Sequence, residues 1–412
     1  MSDDRPFLVF RKSKGNRFTL PVLLGCMEQK GLSKDFRVIL AGSKGEMARQ
    51  ISGGEALIGY SFMTLNLEEV REEVKWLREN LSGEPIFLAG GSHATGDPEG
   101  TLALGFDFIF SGEAEGTFPD FLQQFLERKL PAAKILEAEN LAKHLLTHPP
   151  FSLEHRFFAP IEITRGCVYG CSFCQTPRIF GQRLRHRPPE NVAACLKAAI
   201  PRGFLQSAFI SPNAFSYGSV NSREPDLGKM EALLMACQQA GLEGIHFGCY
   251  PSEVRPDWVT PEVLELVKKY CRNRTVVLGA QSGSDSLLEK LRRGHTAEQS
   301  LKAAEWIHQA GFRPHVDFVF GFPGETLEDR RLSLRLIEKM IQELGARIHA
   351  HTYMPLPMTP LFRETPSVLD AATKEALRGW KKKGKLDGWW EEQEGIAWKI
   401  VGWRDRGVIN CQ

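Results

Sequence analysis

The chain has 412 residues, 42% apolar and 25% charged, the proportions of a folded protein with room for two or three domains. Against 50 Asp and Glu stand 52 Lys and Arg, and a formal charge of +2 argues against a surface that tracks a polyanion or adsorbs to a membrane. No stretch nears the ~18 apolar residues of a membrane span, the start MSDDRPFLVF is unlike a signal peptide, and most of the nine cysteines are scattered thiols; a cytoplasmic location is expected.

Residues 1–130 alternate short apolar runs with helical patterns. The runs are FLVF (7–10), RVILA (37–41), ALIGYSF (56–62), PIFLAGG (85–91) and FDFIFSG (106–112). Between the third and fourth, Val70, Val74 and Leu77 repeat at helical spacing. Wholly apolar strands alternating with amphipathic helices predict a parallel sheet covered on both faces, an α/β flavodoxin-like doubly wound domain with its ligand at the carboxyl ends of the strands. Residues 131–158 break the rhythm and read as a connector.

A second alternation fills 159–360. Its strands are PIEIT (160–164), QSAFIS (206–211), GIHFGCY (244–250), TVVLGAQS (275–282), HVDFVFGF (315–322) and RIHAHTYM (347–354). Leu227, Met230, Leu233, Leu234 and Cys237 share one helix face, which Gly241 closes. Six βα units are too few for an eight-stranded barrel and predict an open (βα)6 barrel. The extension 361–412 holds five of the eight tryptophans (Trp380, Trp389, Trp390, Trp398 and Trp403) beside Lys381, Lys382, Lys383 and Lys385. This mixture would cap the barrel mouth or pack on its flank. Stacking on RNA has no support from the charge of the whole chain.

Directly after the first barrel strand, ITRGCVYGCSFCQTPR places Cys167, Cys171 and Cys174 in a C-x3-C-x2-C spacing, with Gly166 and Gly170 free to turn the backbone. Three thiolates on one loop can ligate three corners of a cubane iron–sulfur cluster and leave the fourth iron open. A zinc ion is the rival, with His186 the nearest fourth ligand and no second CxxC pair. Buried structural thiols are the third reading.

The loop, with the aromatic Phe173 before its last cysteine, resembles the signature of the radical S-adenosylmethionine (SAM) superfamily, and the resemblance covers most of 160–360. It implies a [4Fe–4S] cluster on Cys167, Cys171 and Cys174, with SAM on the open iron and Phe173 near the adenine. SPNAF (211–215) departs from the family's Gly-Gly-Glu form, and Asn213 stands where the SAM amino group is held. LGAQSGSDSLLEKLRRGHT (278–296) would bring Gln281 and Ser282 to the ribose and Arg293 to the carboxylate. Gly321 and Phe322 of DFVFGFPGET would shape the adenine pocket, and YMPLPMTP (353–360) matches the sixth strand. Ser252 and Glu253 at the third-strand rim would help hold SAM. Cys249 and Tyr250 on that rim are the candidate catalytic residues, although Cys249 also reads as a packed core thiol. Taken singly, Ser284 and Thr326 read as helix caps.

In the first domain, RKSKGNRF (11–18) lacks a dinucleotide fingerprint and GSKG (42–45) is no phosphate loop. Small and hydroxyl residues follow the strands in GYSFMT (59–64), LAGGSHATGDPE (88–99) and IFSGEAEGT (109–117). These segments resemble the cobalamin-binding domain fused to some radical SAM barrels. On that resemblance Ser61 and Thr64 touch the corrin or its nucleotide tail. Gly90, Gly91, Ser92 and His93 line the tail groove, and Gly112, Glu113 and Glu115 lie at the corrin edge. The DxHxxG element that supplies a lower axial histidine is absent, and His93 is in the wrong loop to replace it. A domain that keeps the fold without the ligand is the alternative. A methylthiotransferase-type first domain would bring three cysteines, where residues 1–130 contain only Cys26.

The resemblance implies a cobalamin-dependent radical SAM enzyme, a methyltransferase in which methylcobalamin supplies a methyl group to a substrate radical made by the 5′-deoxyadenosyl radical. An external one-electron reductant of ferredoxin or flavodoxin type would serve it. The rivals are a cobalamin-independent radical SAM enzyme acting on RNA or protein and a non-catalytic iron–sulfur protein.

Overall fold

The computed structural model describes residues 3–51, 53–138, 148–220 and 223–411. The chain forms two units, one of residues 1–159 with 356–358 and 403–412, the other of 160–355 with 359–402.

The first unit is built on six parallel strands: β1 (Phe7–Arg11), β2 (Arg37–Ala41), β3 (Ala56–Ser61), β4 (Ile86–Gly90), β5 (Phe108–Ser111) and β6 (Ile135–Glu137). They lie in the order β2-β1-β3-β4-β5-β6, a doubly wound sheet whose order reverses between β1 and β3. Phe7, Leu8, Val9 and Phe10 are all buried because helices cover both faces. Leu8, Phe10, Leu57, Phe108 and Phe110 meet Leu20, Leu24 and Met27 of helix Thr19–Gln29 and Phe118, Phe121 and Phe125 of helix Ala114–Leu126. Helix Leu67–Asn80 buries Val70, Val74 and Leu77, and its Glu73 pairs with Arg11 of β1 at 2.8 Å.

Strand β6 corrects the reading of 131–158 as plain connector. It is a three-residue edge strand paired with β5, flanked by Lys134 and ending in Glu137. Three residues cannot establish an alternation, so only the neighbouring strand reveals it. The rest of that connector falls partly on 139–147, outside the described residues.

The second unit contains β7 (Ile161–Glu162), β8 (Thr164–Arg165), β9 (Arg185–His186), β10 (Gln206–Ile210), β11 (Gly244–His246), β12 (Thr275–Gln281), β13 (Arg313–Phe320), β14 (Arg347–Thr352) and β15 (Leu386–Asp387). Two parallel sheets, β11-β10-β7 and β12-β13-β14-β15, make the barrel wall. The segment after β11 joins them, with Val254 N–H donating to Val277 O and Val277 N–H to Gly248 O, at 2.8 and 2.9 Å.

Three features refine the expected six-strand count. The run 160–164 is two strands, β7 in the wall and β8 in an antiparallel pair with β9. The third strand stops at His246, well short of Tyr250. A seventh parallel strand, β15, comes from the C-terminal extension and pairs with β14. The helix Ala371–Lys382 of that extension packs on helix Leu327–Leu344, on the flank of the barrel. Trp390 is wholly buried, whereas Trp389 and Trp398 are exposed.

Candidate functional site

The cysteine loop is held by its own backbone. β8 and β9 form its stem, tied by the 3.0 Å contact of Thr164 Oγ1 with His186 Nδ1. Gly166 has φ +86°, and a Cβ there would run into the carbonyl of Arg183, so this turn requires glycine. Cys167 N–H donates to Gly181 O, and Cys174 N–H to Cys171 O. Ser172 N–H reaches Leu291 O, and Leu361 N–H reaches Ser172 O, which anchors the loop to two further segments.

The loop opens on a cavity of about 360 Å³. All three cysteines line it, as do Phe173, Glu253, Gln281 and Arg293 of the residues expected from sequence. Arg293 Nη1 lies 3.4 Å from Cys171 Sγ, and its Nη2 donates to Gly279 O at 2.8 Å. Burial pushes the Cys167 thiol up to about 11 and raises that of Cys174. Among the described residues, the only three His, Cys, Asp or Glu side chains with ligand atoms all within 4.8 Å of one another lie elsewhere in the barrel. At least one pair of the three sulfurs is therefore more than 4.8 Å apart, against the ~3.8 Å between thiolates on one zinc ion with tetrahedral 2.3 Å bonds. A cubane, with one thiolate at each of three separate irons, suits that spread. His186 does not line the cavity and packs against Tyr217.

Gln281 sits at a bulge, where the pairing of β12 with β13 slips by one residue, and it has φ +69°. A left-handed non-glycine residue costs energy and is kept where a side chain must be re-aimed, here into the cavity. Gly279 makes room for it, since a Cβ there would lie 2.8 Å from Gln281 Nε2 and from Glu253 Oε2.

Other expected residues lie behind the cavity wall. Ser252 Oγ donates to Phe209 O at 2.8 Å, and Ser282 shares a hydrogen bond with Ser333. Asn213 is buried, its Oδ1 accepting from Arg255 N–H, while its Nδ2 has no hydrogen-bond partner among the described residues. Gly321 has φ +78° and donates its N–H to Glu325 Oε2. Phe322 is fully buried and meets Phe173 at 5.3 Å and Tyr353 at 5.4 Å. Cys249 and Tyr250 do not line the cavity; Cys249 is half-buried, its thiol pushed up to about 11 by burial, and Tyr250 is exposed. Ser284 and Thr326 both cap helices.

The cavity also contains Tyr169, Arg255, Asp317 and His351, none of which sequence reasoning singled out. Arg255 stacks on the Tyr169 ring, 3.3 Å from its centroid, and pairs with Asp257 at 3.0 Å. Burial, then the neighbouring Glu253 carboxyl, pushes Asp317 well above the usual carboxylate range. Asp317 and His351 lie inside strand patterns DFVF and HAHT. Their alternation marks an inward face, and a polar residue on that face was the available signal.

In the first unit, Ser61, Gly90, Gly91, Ser92 and Gly112 lie half-buried at the carboxyl ends of β3, β4 and β5, while Glu113 and Glu115 are buried. Gly91, at φ +92°, lies against the Phe62 backbone, where a Cβ would meet its oxygen at 2.7 Å. His93 is fully buried, with Nδ1 3.0 Å from Thr64 Oγ1 and Nε2 without a hydrogen-bond partner among the described residues, and burial lowers it to about 4. Thr64 is buried with it, and Thr95 Oγ1 accepts from Gly112 N–H. At the sheet's reversal, Asn16 Nδ2 donates to Arg11 O and Ser61 O, which joins the ends of β1 and β3.

Residues 161–337 match the Radical SAM superfamily. One curated relative, the tRNA-2-methylthio-N(6)-dimethylallyladenosine synthase of Mycolicibacterium smegmatis, is 30% identical over 283 residues, 66% of this chain and 52% of its own length. The chain thus spans about half the length of the curated relatives of this kind that it matches. Among solved structures, the radical SAM methyltransferase TsrM of Kitasatospora setae, with cobalamin and a [4Fe–4S] cluster bound, aligns with a TM-score of 0.64 at 16% identity. That alignment covers 88% of this chain and 77% of TsrM. The cobalamin-dependent radical SAM enzyme OxsB aligns with a TM-score of 0.60 at 16% identity, over 82% of this chain and 52% of its own. These two are likenesses of fold, and they extend over both α/β parts of the chain.

Proposed function

We propose that the chain is a cobalamin-dependent radical SAM methyltransferase. The observation that carries the reading is one cavity shared by three spread cysteines and Arg293, in a chain whose fold follows that of TsrM over 88% of its length. On this reading Cys167, Cys171 and Cys174 hold a [4Fe–4S] cluster. Arg293 and Gln281 orient the carboxylate and ribose of SAM, Glu253 takes its ammonium group, and Phe173 flanks the adenine. The half-buried strand ends Ser61, Gly90, Gly91, Ser92 and Gly112 form a rim for a corrin. Thr64 and His93, wholly buried, steady that rim from beneath. When bound, the cluster and SAM supply a hydrogen-abstracting radical and methylcobalamin supplies the methyl group. The protein excludes water, positions the donors and places the Asp317 carboxyl, raised by its burial, at the site. A one-electron reductant of ferredoxin or flavodoxin type is the partner this reaction needs.

A second reading, modification of tRNA without cobalamin, is favoured by the names of the curated relatives. Anaerobic cluster reconstitution followed by hydroxocobalamin loading separates the two. About one corrin per chain beside a four-iron cluster supports the methyltransferase. A full cluster that cleaves SAM without retained corrin overturns it in favour of the second reading.

A further inference from the structure

We propose that His315, His349 and Asp387 form a divalent metal site of the zinc class that fastens the C-terminal strand to the barrel. The site makes no use of the cysteine loop. Its residues come from three adjacent strands, β13, β14 and β15, and His349 stands directly opposite Asp387 in the ladder. Both nitrogens converge on one carboxylate oxygen: Asp387 Oδ1 lies 2.6 Å from His349 Nδ1 and 3.4 Å from His315 Nε2. The other oxygen, Oδ2, is 2.6 Å from Arg347 Nε, which fixes the carboxylate's orientation. All three ligand atoms lie within 4.8 Å of one another.

Tetrahedral zinc with bonds of 2.0–2.2 Å sets its ligand atoms about 3.3 Å apart, so the observed spacing needs only small side-chain rotations. Two imidazoles and one carboxylate match the oxygen and nitrogen preference of zinc, with water as the fourth ligand. The side chains are 23%, 29% and 30% exposed, which leaves a path for the ion. The consequence is mechanical. β15 has two residues and, among the described residues, pairs only with β14, and a metal held jointly by β13, β14 and β15 would join three strands through their side chains.

The test uses the full chain with its iron–sulfur cluster reconstituted, stripped of loose metal and titrated with Co(II) as a spectroscopic probe and Zn(II) as competitor. One equivalent of Co(II) is expected, with the visible bands of a tetrahedral nitrogen–oxygen site, no thiolate charge-transfer band, and displacement by Zn(II). His349→Ala and Asp387→Asn should each weaken binding at least tenfold while iron content stays unchanged. Absence of tetrahedral Co(II) bands in the wild-type chain overturns the proposal whatever the variants do. So does a spectrum dominated by thiolate, or binding unchanged in folded His349→Ala. The first of these results would leave the three side chains as a hydrogen-bonded ion-pair network.

Discussion

At the scale of single residues, the cavity depends on a few side chains with little room to adjust. Cys171 contributes its sulfur beside the Arg293 guanidinium, so Cys171→Ala should remove both cluster iron and reductive SAM cleavage, read by iron analysis and 5′-deoxyadenosine release. Either one retained at wild-type level would remove the loop's assignment. Gly279 is a subtler case. Its missing Cβ is what lets Glu253 and Gln281 approach the backbone, so Gly279→Ala should push both aside while leaving the fold intact. A displacement near 1 Å at a positioning group can cost ~100-fold in rate; a loss of tenfold or more in SAM cleavage with full iron content is expected. The cysteines, Phe173, Gln281 and Arg293 were legible because they sit in short runs of distinctive spacing. Arg255, Asp317 and His351 were not, since their neighbours in the cavity are remote in sequence.

At the scale of elements, caps and turns decide where each segment stops. Thr326 and Asp329 make a reciprocal capping box on helix Leu327–Leu344. Thr326→Ala should cost about 1 kcal/mol in urea unfolding, and a cost near zero would mean that neighbouring groups replace the cap. Gly388, just after β15, has φ +100° and faces the Ala350 carbonyl, which a Cβ would strike. Gly388→Ala should therefore loosen β15 from β14, seen as faster amide exchange at 386–387 without change at β12 or β13. Long apolar runs were legible as strands because each carries enough buried side chains to show its pattern. The pieces β6, β8, β9 and β15 were not. At two or three residues each, they are strands only because a partner's backbone groups lie alongside.

At the scale of the whole molecule, each unit buries a neutral histidine. Burial lowers His93 to about 4, and burial with the nearby Arg293 and Arg255 lowers His295 to about 3. The unfolded chain binds these protons near 6.5, so it takes up more protons than the folded state once the pH falls below that value. Stability is therefore present above pH 6.5 and is lost as pH falls toward 4, on the order of 1–3 kcal/mol for each histidine. Urea midpoints should drop between pH 7.5 and pH 5, and His93→Gln should flatten that slope; a slope unchanged in this variant would show that His93 already carries a proton.

The succession of strands and helices, the doubly wound first sheet and the cysteine loop follow from local patterns in the chain. Periodicity and turn chemistry act over a few residues, and a tight ligand loop is itself local. Which side chains share a cavity, which acid is raised by its surroundings and which strand closes the barrel edge depend on contacts between segments tens of residues apart. Asp317 is an ordinary carboxylate in the sequence, and only burial beside Glu253 raises it. His315, His349 and Asp387 have no motif spacing, and they meet because three parallel strands bring the same face into register. Long-range register comes from the packing of the whole barrel, and no window of sequence contains it.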